Sequence, residues 1–405
     1  MDDTIGHPGP SGGRSIVFLV QVPFSQRDFQ RNGIEFLAAQ GYAVTVIDVS
    51  RIAVPNLPAP PEQTDFPSMR LVRIADRRDL DRHQGELASA SLIVSHVGSG
   101  FVTPDNLPVM RAMARSRRPT LMFSINATPW WQTAPQVFGA GGRLTRILGR
   151  LRQLNLLATA LNRLPLSLLG VRPYDYVVHG GRKSHARRRL LTPGTRSIQA
   201  HSMDYDLFLE QVSAPRDAPS SPFAVFLDQY IGYHPDAVEG QRHPERPERF
   251  YPLLRAFFDR IESQLGLEVV IAPHPRADYS DKPGLFGKRR LIGGATSRLV
   301  SQSRLVVSSY STAVGMAMLF EKPVVLCATQ PMLANAHACW AIVRLAQDLG
   351  VSPTLIDQDY SLDDAEDFDR ERYETYIADY IKVPGSPKRQ IWSLIVERLK
   401  ADGIL

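Results

Sequence analysis

Ser213-Ala214-Pro215-Arg216-Asp217-Ala218-Pro219-Ser220-Ser221-Pro222 runs directly into Phe223-Ala224-Val225-Phe226-Leu227-Asp228. The first ten residues are rich in proline and serine and carry no apolar run, which is the composition of a linker between domains. The five that follow are continuously apolar, as in a strand covered on both faces. What lies before the linker and what lies after it read alike. Upstream, Ser15–Val20, Ala43–Asp48, Met69–Ile74, Leu92–Ser95, Thr120–Phe123 and Tyr176–Val178 are short β-branched-rich runs separated by helical stretches such as Gly33–Gln40. Downstream, the strands Phe223–Leu227, Leu267–Ile271, Leu305–Val307 and Pro323–Leu326 alternate with the helices Pro252–Leu265, Ala295–Ser301 and Ala313–Phe320. Strand–helix alternation of this kind builds a parallel sheet with helices on both faces. The reading is α/β: two Rossmann-like domains with a cleft between them, and a last amphipathic helix, about Lys388–Lys400, that closes the chain. The divisions expected are a disordered 1–14, a first domain over 15–213, a linker over 214–222, a second domain over 223–386 and a closing helix within 387–405.

Composition narrows the class. The 405 residues, 43% hydrophobic and 22% charged, are enough for two cores and too ordinary for a fibrous or disordered chain. Cys327 and Cys339 are the only cysteines and lack metal-ligand spacing, which suits a reducing compartment and excludes a disulfide framework. No apolar run is long enough to span a bilayer, and Met1-Asp2-Asp3-Thr4 does not open a secretory signal, so the expectation is cytoplasmic. The net charge of +6 divides into +9 over residues 1–213 and −3 over 214–405. A basic half beside an acidic one points to a face that meets an anion. The basic runs are not interleaved with stacking aromatics and no nucleic-acid-binding signature is present, so nucleic acid is not the expected partner. Residues 141–174 hold Arg143, Arg146, Arg150, Arg152, Arg163 and Arg172 without an acid. Leu144, Ile147, Leu148, Leu151 and Leu154 share one helical face, and Trp130-Trp131 precede them. This is the pattern of an interfacial helix on an anionic membrane, or of a helix packed on the first domain with its arginines in water.

In open α/β sheets ligands gather beyond the carboxyl ends of the strands. Three polar sets fall there in the second domain. Asp228-Gln229-Tyr230 follows the first strand, Pro273-His274-Pro275-Arg276 the second, and Ser308-Ser309-Tyr310-Ser311-Thr312 the third, where a helix begins. Hydroxyls at a helix start add donors for a phosphate to the exposed N–H groups, or simply cap the helix. Prolines on both sides stiffen His274. Asp228 ends an apolar strand, where burial raises a carboxyl pKa and makes a usable general base. Of other motifs, the Asp204-Tyr205-Asp206 and Asp357-Gln358-Asp359 triplets lie in connecting segments, so no metal site is expected. Gly98-Ser99-Gly100 lacks the remainder of a dinucleotide fingerprint and reads as a turn.

Asp228-Gln229-Tyr230, His234-Pro235, His274-Pro275, Ser308–Thr312 and Lys322-Pro323-Val324-Val325, in that order over roughly residues 223–326, resemble the C-terminal half of bacterial surface-polysaccharide glycosyltransferases of the two-Rossmann GT-B fold. The resemblance is nearest to enzymes using CMP-activated acidic sugars, namely sialyl-, polysialyl- and Kdo transferases. It implies an inverting, metal-independent glycosyltransferase with no cofactor beyond its CMP-sugar donor, acting on a glycan or lipid-linked glycan in capsule or lipopolysaccharide synthesis. It would work in the cytoplasm, peripheral on the inner face of the cytoplasmic membrane. Asp228 is then the base or a nucleotide contact. His274, Arg276, Ser308, Ser309, Ser311 and Thr312 hold the CMP phosphate and ribose, with His274 assisting departure of the leaving group. The first domain serves the acceptor, with Arg27, His96 and Asn126 as candidates, and the second binds the nucleotide. A family acid pair is reduced here to the single Asp228, so two alternatives stand: a GT-B transferase with a UDP- or GDP-sugar or CDP-polyol donor, and an inactive scaffold of a polysaccharide assembly complex.

Overall fold

Apolar runs of three to five residues lie in most of the strands and are buried along most of their length. The computed structural model describes residues 14–55, 66–98, 101–125, 161–184, 188–215, 221–233, 244–275 and 277–405. The first sheet consists of β1 (Ser15–Val20), β2 (Ala43–Asp48), β3 (Arg70–Arg73), β4 (Leu92–Ser95), β5 (Thr120–Ser124), β6 (Tyr176–His179) and β7 (Arg196–Gln199), in the order β3-β2-β1-β4-β5-β6-β7. The second consists of β8 (Phe223–Leu227), β9 (Glu268–Ala272), β10 (Leu305–Ser308), β11 (Val324–Ala328) and β12 (Thr354–Leu355), in the order β12-β11-β10-β8-β9. Every pairing in both is parallel. Two Rossmann-like sheets are therefore present, as the alternation of strands and helices required.

The strand orders matter more than the strand count. The chain reverses its direction of winding between β1 and β4 in the first sheet and between β8 and β10 in the second. Loops leaving the two strands at such a point diverge to opposite faces and open a crevice at the carboxyl edge. Each sheet thus carries one ready-made ligand position, fixed by topology before any side chain is considered.

Two chain crossings join the halves. The Met203–Ser213 helix leads out of the first sheet, and the chain returns after Ile381. The crossings are stitched together. Ser202 N donates to Ile381 O at 2.8 Å, His201 pairs with Lys382 in an antiparallel bridge, and His201 Nε2 donates to Arg389 O at 2.7 Å. Gly181 lies so near this return that a Cβ there would stand 2.3 Å from the Asp379 backbone. The final helix, Ile391–Ala401, places Ile391, Trp392, Ile395, Val396 and Leu399 in one core with Ile16, Phe18 and Leu121 of the first sheet. Trp392 meets Phe18 and Phe123 edge-on, with centroids 5.5 and 5.7 Å away. Gly33 lies opposite at φ +59°, and a Cβ on it would fall 2.3 Å from the indole, so both conformation and space demand glycine. The closing helix therefore belongs to the first domain, as expected of a GT-B chain.

Some elements differ from the sequence expectation. The helix expected over Ala313–Phe320 begins as a 3₁₀ turn, Thr312–Val314, and continues as a short α-helix, Gly315–Leu319. Strands β7 and β12 have no apolar run to announce them: β7 is an edge strand with Ile198 alone buried, and β12 has two residues. Leu291 contributes only a single bridge to Ile271. Among the described residues no helix is long and apolar enough to cross a membrane. Most of the basic segment 141–174 lies outside them, but its last part ends in the Leu166–Leu169 helix, where Leu168 is exposed, as is Leu164 just before it.

Candidate functional site

The switch point of the second sheet collects the three polar sets. Asp228 follows β8, and its N–H donates to Ala272 O at the end of β9 at 3.0 Å. Gln229 Oε1 accepts from Tyr310 N at 2.8 Å, tying the β8 loop to the β10 loop across the crevice. Asp228 is 4% exposed. Its Oδ2 accepts from the Tyr279 hydroxyl, while Oδ1 has no hydrogen-bond partner among the described residues. Burial pushes this carboxyl up to about 6, against the pull of the Tyr279 hydroxyl and the nearby amides of Tyr230, Gln229 and His274. Tyr230, next but one in sequence, sits at φ +54°, a left-handed conformation that costs a tyrosine about 1–2 kcal/mol. Its hydroxyl donates to Asp278 O at 2.6 Å, and Tyr279 packs edge-on against its ring at 5.2 Å. A carboxylate oxygen without a partner among the described residues and a strained neighbour thus lie side by side at the switch point.

His274 lies two residues beyond β9, half-buried, its carbonyl accepting from Ala277 N at 2.9 Å in a tight turn. Arg276 lies outside the described residues. The hydroxyl cluster divides in two. Ser308 and Ser309 are fully buried; Ser308 Oγ accepts from Ser311 N at 3.2 Å, and Ser309 Oγ lies 3.5 Å from Cys327 Sγ. These two hold the turn together. Ser311 caps the 3₁₀ turn, its Oγ accepting from Ala313 N at 3.2 Å, and it remains half-buried while Thr312 is exposed. Capping, the plainer use of such hydroxyls, is thus realised at Ser311.

At the switch point of the first sheet lies a cavity of about 330 Å³. Its floor is the ends of β1, β4 and β5, through Val20, Ser95, Met122 and Phe123, and its walls include Gln21, Asp28, Arg31, Asn32, His96 and Arg188. Ser25 and Asp28 form a capping box at the start of the Gln26–Arg31 helix, with Asp28 Oδ2 accepting from Ser25 N at 3.0 Å and Ser25 Oγ at 2.6 Å. Arg31 reaches out of this helix to Asp204 at 2.7 Å. His96 stacks face to face on Phe123, centroids 5.4 Å apart and planes 2° from parallel, and its Nε2 lies 2.8 Å from Asn32 Oδ1. Burial lowers its pKa to about 4, so the ring is neutral at pH 7.

Of the acceptor-side candidates, His96 lines the cavity. Arg27 sits on the same helix as Asp28 and Arg31 but is not among the lining residues, and Asn126 lies outside the described residues. Sequence reasoning missed Asn32, Phe123 and Tyr279. The Ser25–Asp28 capping box was the one local signal that a polar helix starts here. The two acidic triplets have structural uses: Asp206 accepts from Ile391 N at 3.0 Å, Asp204 pairs with Arg31, and Asp357 binds Arg249 at 2.7 Å and Gln330 N at 3.1 Å.

No family model matches the chain, and no curated protein matches it in sequence. Solved structures do match in fold. A histidine-to-alanine variant of the wall teichoic acid polymerase TagF superposes with a TM-score of 0.54 at 13% identity, covering 96% of this chain and 90% of that one. TagF itself gives 0.50 at 12% identity over the same shares. The calicheamicin glycosyltransferase CalG4 gives 0.44 at 15% identity, covering 97% of this chain and 96% of that one. With the two sheets and the returning helix, the chain has the two-Rossmann GT-B fold.

Proposed function

We propose that this chain is a glycosyltransferase of the GT-B type, moving a group from a nucleotide-activated donor at the β8–β10 switch point to an acceptor in the cavity at the β1–β4 switch point. The observation that carries the reading is the pairing of the two crevices. One holds a buried carboxylate, one oxygen of which has no partner among the described residues, beside tyrosines and a histidine, and the other a cavity with a neutral histidine. Two such positions on one chain suit a reaction that brings two substrates together.

On the donor side, His274, Arg276, Ser311 and Thr312 hold the departing phosphate, and their charge and dipoles stabilise the leaving group. Ser308 and Ser309, sealed within the turn, support it from behind. Asp228 does not line the first-domain cavity. Of the two roles the sequence leaves open, it takes the nucleotide contact, offering Oδ1 to a ribose hydroxyl. The donor is a CMP-activated acidic sugar, the class that the order of strand-end motifs resembles, and the acceptor is a surface-polysaccharide glycan carried on lipid. The basic segment 141–174, with exposed Leu164 and Leu168 at its end, is the contact to the inner face of an anionic membrane. A second reading, a UDP- or GDP-sugar or CDP-polyol donor on the same scaffold, is favoured by the fold match to TagF, which by its name polymerises a cell-wall polymer.

Release of nucleotide into water, without acceptor, separates these readings. The purified chain should free CMP from CMP-N-acetylneuraminate or CMP-Kdo, with or without magnesium, and leave UDP-N-acetylglucosamine and CDP-glycerol intact. Turnover of either of the latter instead would keep the transferase and replace the donor. No release from any donor would favour the inactive scaffold.

A further inference from the structure

In the first-domain cavity one hydrogen-bond chain fixes where a proton can go. Asn32 is 4% exposed, and its Nδ2 donates to Asp28 O at 2.9 Å. A carbonyl can only accept, so this bond settles the orientation of the Asn32 amide and turns Oδ1 to His96, 2.8 Å from Nε2. An amide oxygen also only accepts. The proton of a neutral His96 must therefore sit on Nε2, leaving the lone pair on Nδ1, for which no partner occurs among the described residues. The ring cannot turn over to exchange the two nitrogens without losing this bond, and it is clamped by stacking on Phe123 with Phe18 at 6.4 Å beyond.

From this geometry, and resting on the transferase reading, we infer that His96 is the catalytic base for the acceptor hydroxyl, receiving its proton on Nδ1, and that Asn32 is the positioning residue that selects this tautomer. The step balances without a co-reactant. The hydroxyl oxygen forms a bond to the anomeric carbon of the donor while the bond from that carbon to the phosphate oxygen breaks, its electron pair leaving with the nucleotide. The hydroxyl proton passes to Nδ1, giving an imidazolium whose Nε2–H stays on Asn32, and is lost to water after release. The charge that forms meets Asp28, whose negative field favours the imidazolium and whose carboxylate is pinned by both polar groups of Ser25. Burial disfavours that charge before the acceptor arrives, so the ring waits in its proton-accepting form.

Three measurements test the assignment. In ¹⁵N-histidine-labelled full-length protein, the His96 resonance, identified by its loss in His96→Gln, should report the Nε2-protonated tautomer at neutral pH. An Nδ1-protonated ring would overturn the inference. In the nucleotide-release assay, where water takes the place of the acceptor hydroxyl and gives its proton to the same Nδ1, His96→Gln should lower the rate roughly 10²–10⁴-fold while keeping the melting temperature rise caused by CMP. Asn32→Asp, which replaces the amide by a carboxylate that favours imidazolium, should displace the acid limb of the pH profile upward, which a merely structural Asn32 would not do. Release at the wild-type rate in His96→Gln would overturn the inference alone. A wild-type chain that neither binds nucleotide nor releases it would overturn the transferase reading, and this inference with it.

Discussion

Asp228→Asn is expected to be more stable than the wild type at pH 8 and much poorer at holding its donor. The carboxyl pKa stands at about 6 in the folded chain and near 4 when unfolded. Between those values the folded state keeps a proton that the unfolded state has lost, so stability falls as pH rises through this window. Above pH 6 the full cost of the buried charge is present, about 3 kcal/mol at 1.36 kcal/mol per unit. Asparagine carries no such charge, though its amide nitrogen inherits the want of a partner, at about 1–2 kcal/mol. The net gain at pH 8 is therefore about 1–2 kcal/mol, and by pH 4, where Asp228 is neutral, it gives way to a loss of about 1–2 kcal/mol. Asp206, raised to about 7 by burial, adds the same trend to both proteins and cancels in the comparison. Loss of a charged acceptor for the nucleotide should meanwhile weaken CMP binding about 10–100-fold. Urea unfolding at pH 4 and pH 8 checks the first half and CMP titration the second. Equal stability at pH 8 would mean that the carboxyl is not desolvated.

Trp392→Ala should be the most damaging single truncation in the first domain. The side chain is 1% exposed and fills the contact between the closing helix and the Phe18–Phe123 face of the sheet. A buried aromatic cut to alanine costs about 3–5 kcal/mol. The effect reaches the site, because Phe123 is also the surface on which His96 stacks. Trp392→Phe should cost far less. It keeps most of the buried area and removes an indole N–H that has no partner among the described residues. Urea titrations of the two variants should separate by about 2 kcal/mol or more. Equal losses would place the importance of Trp392 in something other than packing.

How much of this was readable in advance follows from how local each signal is. Phe223–Leu227 and Ser15–Val20 are buried on both faces and announce themselves as apolar runs, and the linker marks the restart, so the two-sheet architecture was legible. Arg196-Ser197-Ile198-Gln199 was not, because an edge strand with one buried side chain has no pattern to read. In the candidate site, the position of Asp228, His274 and Ser311–Thr312 beyond the strand ends was legible because topology alone places strand ends together. The sealing of Ser308 and Ser309 could not, since it depends on a turn closing on Ser311 N and on Cys327 from the neighbouring strand. Asn32 with His96 and Tyr279 with Asp228 are pairings 64 and 51 residues apart in sequence. No spacing rule reaches that far. Only the folded chain brings a helix-end asparagine to a strand-end histidine.

The most direct test of the central claim is the melting temperature of the purified chain with CMP, CDP, UDP or GDP, with and without magnesium. A ligand that binds only the folded state raises it, by about 2.7 kcal/mol of added stability at a hundred times the dissociation constant. CMP, bound at the second switch point, is expected to stabilise the chain independently of magnesium, with the effect lost in His274→Ala. Stabilisation that survives His274→Ala unchanged, or no response to any of the four nucleotides, would contradict it.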